Sequence, residues 1–169
     1  MLVKEIGIAA VMLSAAGLGL YKALELKARE RALAELLELL AQAGTLIRYQ
    51  AADTGTLIRA LAGSGQFSRL AFLQEAHALL EAGMPAHEAL LRAAGNIRRP
   101  LSPQDAEAFR RFAQLLGTRD IDGELEGIAL CRASLEHNYE QARAAARDKG
   151  KLFCTLGILG GIFAAVMAL

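Results

Sequence analysis

The densest group of polar side chains lies in residues 119–126, which read RDIDGELE. Its four carboxylates do not follow the spacing of a calcium loop, because the sixth and twelfth positions counted from Asp120 are Leu125 and Cys131 rather than glycine and an oxygen ligand. Carboxylates are also favourable at the start of a helix, beside the positive end of its dipole. The stretch is therefore either an acidic helix start or a docking surface for a partner. The candidate docking residues are Arg119, Asp120, Asp122 and Glu124.

The other residue types that commonly do chemistry occur without the spacing that chemistry needs. The histidines are His77, His87 and His137, and none stands at i,i+4 from a second ligand. His77 falls in an apolar stripe, which is typical of a core histidine with a satisfied ring. Cys131 and Cys154 lack the basic surroundings that lower a thiol pKa. With no nucleophile elbow and no glycine-rich phosphate loop, the sequence predicts a protein that is not an enzyme, with no metal site and no cofactor.

Charge and composition limit the partners. The chain has 169 residues with 19 Lys and Arg against 18 Asp and Glu, a net charge of +1, and no tryptophan. A nucleic-acid-binding protein needs a basic surface to displace counterions from phosphates, and this balance does not provide one. We therefore expect proteins and membrane rather than nucleic acid as partners.

Both ends of the chain are long apolar runs. Residues 152–169, LFCTLGILGGIFAAVMAL, contain no charged side chain, and neither do residues 6–21. A helix rises about 1.5 Å per residue, so a run of this length approaches the thickness of a hydrocarbon core of about 30 Å. The sequence predicts an N-terminal transmembrane helix in residues 1–21, a helical body in 22–151 and a C-terminal transmembrane helix in 152–169. Three glycines with GxxxG-type spacing are candidates for close helix packing in the last span: Gly157, Gly160 and Gly161.

The basic residues predict how these helices are oriented. Four follow the first run within ten positions and four precede the second, whereas Lys4 stands alone on the other side. The positive-inside rule places the body in the cytoplasm and both termini across the membrane. A cleaved signal peptide ending near Ala15 and Ala16 is the alternative for the first run. The basic flanking residues are Lys22, Lys27, Arg29, Arg31, Arg143, Arg147, Lys149 and Lys151.

The body reads as six helices and no strand. A first long helix has a stripe that includes Leu33, Leu36 and Leu40, with Gly44 as a weak point and Arg31 paired with Glu35 at i,i+4. Two short helices precede Gly83, a candidate C′ glycine, and a third begins at Pro85. These patterns, with short connections, favour an all-α bundle of antiparallel neighbours.

The last two helices of the body have the clearest start signals. After a linker at residues 96–101, Ser102, Pro103 and Asp105 supply an N-cap, an N1 proline and an acidic N3 residue, and Gly117 ends that helix. The final stripe, from Leu125 to Ala146, points directly into the terminal apolar run. The first and last helices are therefore expected to continue into the membrane spans.

This arrangement resembles the stage III sporulation protein AB family, which is related to the F-type platform proteins of type II secretion. The stretch FAQLLGTRDIDGE is similar to a family pattern of phenylalanine, leucine-glycine, aspartate and glutamine, with glutamate in place of the glutamine. Here these positions are Phe112, Leu116, Gly117, Asp120 and Glu124. LGILGG at residues 156–161 and the Ile47-x-Tyr49 pair are also similar, although residues 50–56 lack the family's threonine-proline-leucine turn.

The resemblance implies a part of the channel between mother cell and forespore, located in the mother-cell membrane. It implies as partners a cytoplasmic secretion-type ATPase, stage III sporulation protein AA, and other channel proteins. Assembly into a homo-oligomer is a separate expectation. The same spans and body would also suit a stand-alone helical membrane adaptor or sensor with a different partner.

Overall fold

The structure is a computed structural model that describes the backbone of residues 2–168. Over this range it has six α-helices and no strand, as the sequence predicts. The helices are α1 (Leu2–Gln50), α2 (Thr54–Gly63), α3 (Ala71–Glu81), α4 (Ala86–Gly95), α5 (Pro103–Leu115) and α6 (Ile121–Ala168). Side chains are described within this range except at residues 2–13, 15–16, 149–151, 153–154, 157–158 and 160–168.

The chain divides into two compact units, each with its own internal contacts. The terminal unit combines Met1–Glu30 with Glu140–Leu169, and the bundle unit is Arg31–Tyr139. The bundle unit holds the second part of α1, the short helices α2 to α5 and the first part of α6.

The terminal unit contains both predicted membrane spans. Most of their side chains, and the surroundings of Gly157, Gly160 and Gly161, lie outside the described residues. Among the residues that are described, no helix combines the length and the apolar character needed to cross a membrane. Those of its large apolar side chains with more than half of their surface exposed are Leu18, Leu20, Tyr21, Leu24, Leu152, Leu156 and Leu159.

The core of the bundle unit brings aliphatic and phenylalanine side chains together. The Phe109 ring lies 4.7 Å from that of Phe72 and 5.8 Å from that of Phe112, measured between centroids. On α1 the predicted stripe is buried, with Leu33, Leu36 and Leu40 fully covered. Burial of each such side chain contributes about 1.5–3 kcal/mol towards folding of the unit.

Local capping signals place the ends of the short helices. Ser102 and Asp105 form a complete capping box at the start of α5, with Pro103 at the first helical position. Gly83 adopts φ +91°, and the amides of Gly83 and Met84 donate to Leu80 and Leu79, which is a Schellman motif. Pro85 proves to be the N-cap of α4 rather than its first residue.

One predicted ion pair is wrong. Arg31 and Glu35 stand at i,i+4 on α1, but Glu35 instead pairs with Arg69, which lies in the segment before α3. The contact joins two elements that are far apart in sequence. Packing of the short helices against α1 therefore takes precedence over the local pair.

Candidate functional site

The turn between α5 and α6 is built around Gly117. This residue follows the C-cap Leu116 and has φ +80°, a conformation that glycine adopts without the strain of a Cβ atom. Its amide donates a hydrogen bond of 2.8 Å to Oε1 of Glu124, one turn into α6. A glutamine at this position would accept the same bond through its side-chain carbonyl. The turn therefore needs the acceptor oxygen of residue 124 rather than its charge.

Asp120 is the N-cap of α6. Its Oδ1 accepts a hydrogen bond of 3.1 Å from the Gly123 amide, and its carbonyl accepts one of 2.9 Å from the Glu124 amide. Such a cap satisfies a donor that has no partner inside the helix. The interpretation of the acidic stretch as a helix start is thus supported by the geometry of two of its carboxylates.

Two other helices fix the position of this turn. A Cβ atom added at Gly117 would lie 2.7 Å from Oγ1 of Thr54, the buried first residue of α2. Nδ1 of His87, on α4, lies 2.8 Å from the Leu116 carbonyl oxygen. A carbonyl oxygen can only accept, so Nδ1 carries the hydrogen in this contact. The turn is therefore held by α2 and α4 as well as by its own helix.

A cleft of about 450 Å³ opens beside the turn. The first residues of three helices line it, through Thr54 of α2, Ala86 of α4 and Ile121 of α6. Asp53 and Glu124 also line it, so carboxylates meet the positive ends of helix dipoles. This arrangement stabilises negative charge at the corner without requiring a bound cation.

Asp53 illustrates that stabilisation. Hydrogen bonds from the hydroxyl and the backbone amide of Thr56 hold the pKa of the Asp53 carboxyl below its usual value. Oδ1 of Asp53 lies 3.0 Å from the Thr56 amide nitrogen, the geometry of an N-cap for α2. The carboxylate is thus ionised at neutral pH and already engaged.

The four candidate docking residues differ in what they can offer a partner. Asp120 and Glu124 make the turn and cap contacts described above. Arg119 and Asp122 are exposed, and neither has a hydrogen bond or ion pair with any described residue. Docking at this corner remains a prediction, and the geometry assigns its free charges to Arg119 and Asp122.

The surroundings of His77 and Cys131 are those of residues that contribute to the fold. His77 is half-buried, and its Nδ1 has no hydrogen-bond partner among the described residues. It is therefore not the core histidine with a satisfied ring that its apolar stripe indicates. Cys131 is buried, and burial raises the pKa of its thiol to about 12. Within the described part of the chain, no three His, Cys, Asp or Glu side chains are grouped as metal ligands would be.

Sequence reasoning missed Thr54 and His87 as parts of this corner. Neither belongs to a motif, and both come from helices distant in sequence from Gly117. The only available signal was the glycine itself, since a glycine that ends a helix often allows another element to approach closely.

Comparison with known proteins identifies the family. No curated protein and no solved structure matches the chain closely. The family model for stage III sporulation protein AB matches residues 4–169, essentially the whole chain. The family is not known as one of enzymes. The match includes the turn from Phe112 to Glu124 and both apolar ends, and the chain therefore belongs to the stage III sporulation protein AB family.

Proposed function

We propose that this protein is a non-enzymatic membrane platform in the channel between mother cell and forespore, where it couples a cytoplasmic secretion-type ATPase to the membrane assembly. The ATPase is stage III sporulation protein AA or a close relative. The observation that carries the proposal is the family match over residues 4–169. The bundle unit would lie in the mother-cell cytoplasm, and both termini would lie across the membrane facing the forespore.

The terminal unit supports the membrane part of this proposal. Its exposed apolar side chains include Leu18, Leu24, Leu152 and Leu156, with between 55% and 68% of their surface accessible. Exposing apolar surface to water costs about 25 cal/mol per Å², so exposed leucines on one unit favour a lipid environment. In the sequence, the runs 6–21 and 152–169 contain no charged residue.

The corner between α5 and α6 supports the docking part. Arg119 and Asp122 are exposed charges that no described contact engages, whereas Asp120 and Glu124 hold the local fold. A partner could therefore bind Arg119 and Asp122 without disrupting the turn. The contacts of the turn preform the backbone that carries these two charges, which lowers the entropy lost on binding.

Reconstitution of the full chain in lipid nanodiscs with the purified ATPase tests the coupling. We expect association in at least one of the nucleotide-free, ADP-bound and ATP-analogue-bound states. A double variant, Arg119→Ala with Asp122→Ala, should weaken it by about tenfold or more if these charges are central to the interface. The matched control, Glu88→Ala with Arg92→Ala, removes two exposed charges of α4 and should leave association unchanged.

The outcomes separate the alternatives. Absence of association in every nucleotide state would overturn the coupling. Specific association with another cytoplasmic protein in its place would favour a stand-alone adaptor. Topology has its own measurement, because a reporter fused after Leu169 that proved cytoplasmic would overturn the orientation of the C-terminal span.

A further inference from the structure

The exposed side of α6 in the bundle unit carries no described covering element. We name the α6 ridge by its residues Glu126, Ala129, Leu130 and Ala133, all of which are exposed. Leu130 has 66% of its surface accessible, which is high for a leucine in the middle of a helix. The alanines are small enough to let another helix approach the backbone of α6 closely.

Grooves run along both sides of the α6 ridge. On the side of α1, a groove of about 390 Å³ is lined by Gly44, Leu125 and Ile128 among others. On the side of α5, a groove of about 260 Å³ is lined by Leu115 and Leu130. A ridge of small side chains flanked by two grooves is the surface that ridges-into-grooves helix packing requires.

The charges on and beside the ridge are self-complementary. Glu126 has no hydrogen bond or ion pair with any described residue. Arg132 keeps 43% of its side chain exposed and bonds Glu136 through one terminal nitrogen, while its Nε is buried and has no acceptor among the described residues. Glu126 precedes Ala129 by three positions and Arg132 follows it by three. An antiparallel copy of α6 centred on Ala129 would therefore set each Glu126 opposite an Arg132.

We propose that the α6 ridge is the interface of a homodimer, in which α6 of a second copy packs antiparallel with the two-fold axis at Ala129. Two Glu126–Arg132 pairs then form, as an isologous interface requires. Leu130 of each copy is covered by the other. This assembly needs neither the ATPase nor any property of the membrane spans.

The outer part of the ridge favours one crossing angle. Asp122 and Glu136 would face each other at seven positions on either side of Ala129, and like charges in contact are unfavourable. A crossing of about 50°, the commonest in globular proteins, separates the helices at those positions. Arg48 is exposed, has no described partner and lines the same α1 groove as Ala129 and Arg132. The crossing also leaves Asp122 outside the contact.

Cysteine cross-linking of the full chain in mild detergent tests the position of the axis. Cys154→Ala removes the second thiol, and Cys131 is buried. In this background Ala129→Cys should form an intermolecular disulfide under mild oxidation at least about tenfold faster than Ala78→Cys, a matched exposed alanine on α3, because a bound copy raises the effective thiol concentration. Equal rates would overturn the proposal, whether the chain is monomeric or associates through its terminal unit.

A charge reversal tests the pairing. Glu126→Arg alone should slow the disulfide formed by Ala129→Cys about tenfold or more, because it faces Arg132 of the second copy. Adding Arg132→Glu should restore the rate by re-forming both pairs in reverse. Circular dichroism of each variant confirms that the helices are intact. A rate insensitive to Glu126→Arg, or one that the second reversal fails to restore in a folded variant, overturns the proposed register.

Discussion

The Glu124 carboxylate accepts a hydrogen bond of 2.8 Å from the Gly117 amide, so one side chain of α6 closes the turn that precedes it. This contact accounts for the spacing of seven positions between Gly117 and Glu124 in this chain. The stretch from Leu116 to Glu124 forms a turn, in which Gly117 supplies the backbone conformation and Glu124 supplies the hydrogen-bond acceptor. Contacts from α2, α4 and α6 of the bundle unit hold its conformation.

Substitutions of Glu124 should separate its role as an acceptor from its charge. Glu124→Gln keeps the acceptor oxygen. It should lower the free energy of unfolding by only about 0.3 kcal/mol, because it removes a negative charge near the positive end of the α6 dipole. Glu124→Ala removes the acceptor and should cost about 1 kcal/mol. Urea unfolding of the full chain in mild detergent, followed by circular dichroism, measures both. Glu88→Ala, which removes an exposed carboxylate from the first turn of α4, serves as the control. Equal losses for Gln and Ala would contradict this role.

Gly117→Ala should destabilise the protein for two separable reasons. The left-handed conformation costs a non-glycine residue about 1 kcal/mol, and the new Cβ would lie 2.7 Å from Oγ1 of Thr54. We expect a total loss of about 2–3 kcal/mol. Adding Thr54→Ala removes the clash but not the backbone strain. The loss in the double variant should therefore be about 1 kcal/mol smaller than the sum of the losses in the two single variants. Strict additivity would show that Thr54 does not limit the space at this turn.

Local signals predicted the ends of the helices well. Ser102, Pro103 and Asp105 begin α5 as expected, and Gly83 and Gly117 have positive φ at the positions that end α3 and α5. Each of these features depends on residues within one turn of each other. Capping chemistry is local, so a single sequence contains what is needed to predict it.

The contacts between distant elements could not be predicted in the same way. Glu35 pairs with Arg69 rather than with Arg31, and His87 reaches the carbonyl of Leu116. Both depend on which helix faces which, and helical periodicity gives the buried face of a helix but not its neighbour. The sequence names the candidate docking residues as one stretch, which stays a prediction, whereas the division of that stretch into structural and free charges required the packing of α2, α4 and α6.

Asp105 should be among the most sensitive polar residues of the bundle unit. It is fully buried, accepts a 2.8 Å bond from the Ser102 amide and one of 2.9 Å from the Asn138 side chain on α6. Asp105→Ala removes the side-chain half of the capping box, whereas Ser102 still caps the amide of residue 105, and it leaves both donors without this acceptor, at a cost of about 3 kcal/mol.

A double-mutant cycle with Asn138→Ala checks the reason for this loss. Because both variants break the same bond, the combined effect should be smaller than the sum by about 1 kcal/mol. Gln104→Ala, an exposed residue in the same first turn of α5, should lie within about 0.5 kcal/mol of the wild type. An Asp105→Ala loss as small as that of the control would refute the importance of the buried network.

Gly44→Ala should stabilise the protein. Gly44 lies inside α1 with ordinary helical geometry, and a Cβ atom there would lie 3.7 Å from Cδ1 of Ile128, an ordinary van der Waals distance. Replacing a glycine inside a helix by alanine should then raise the free energy of unfolding by about 0.5–1 kcal/mol. Gly123→Ala is the matched contrast. Its Cβ atom would lie 2.8 Å from Oδ1 of the capping Asp120, so this substitution should destabilise the start of α6. Urea midpoints that shifted in the same direction would contradict this reading of the two contacts.

The Cys131 thiol should be protected both chemically and thermodynamically. Burial raises its pKa to about 12, against about 8.5 in an unfolded chain, so the folded state retains the thiol proton between these values. The associated stability is present below about pH 8.5 and is lost as the pH rises towards 12. In a Cys154→Ala background, alkylation by iodoacetamide at a pH near 8.5 should be about a thousandfold slower in the folded protein than in urea.

The pH dependence of unfolding supplies the control for this prediction. With Cys131→Ala the decline of stability above about pH 8.5 should become shallower, because the raised thiol pKa no longer contributes. Below that pH the thiol is protonated in both the folded and the unfolded state, so the substitution should not change the pH dependence of the free energy of unfolding there. Alkylation of the folded chain at the rate of the denatured one would show that α6 opens at Cys131, and the Cys131 Sγ contact of 3.6 Å to the Ala108 carbonyl would then not persist in solution.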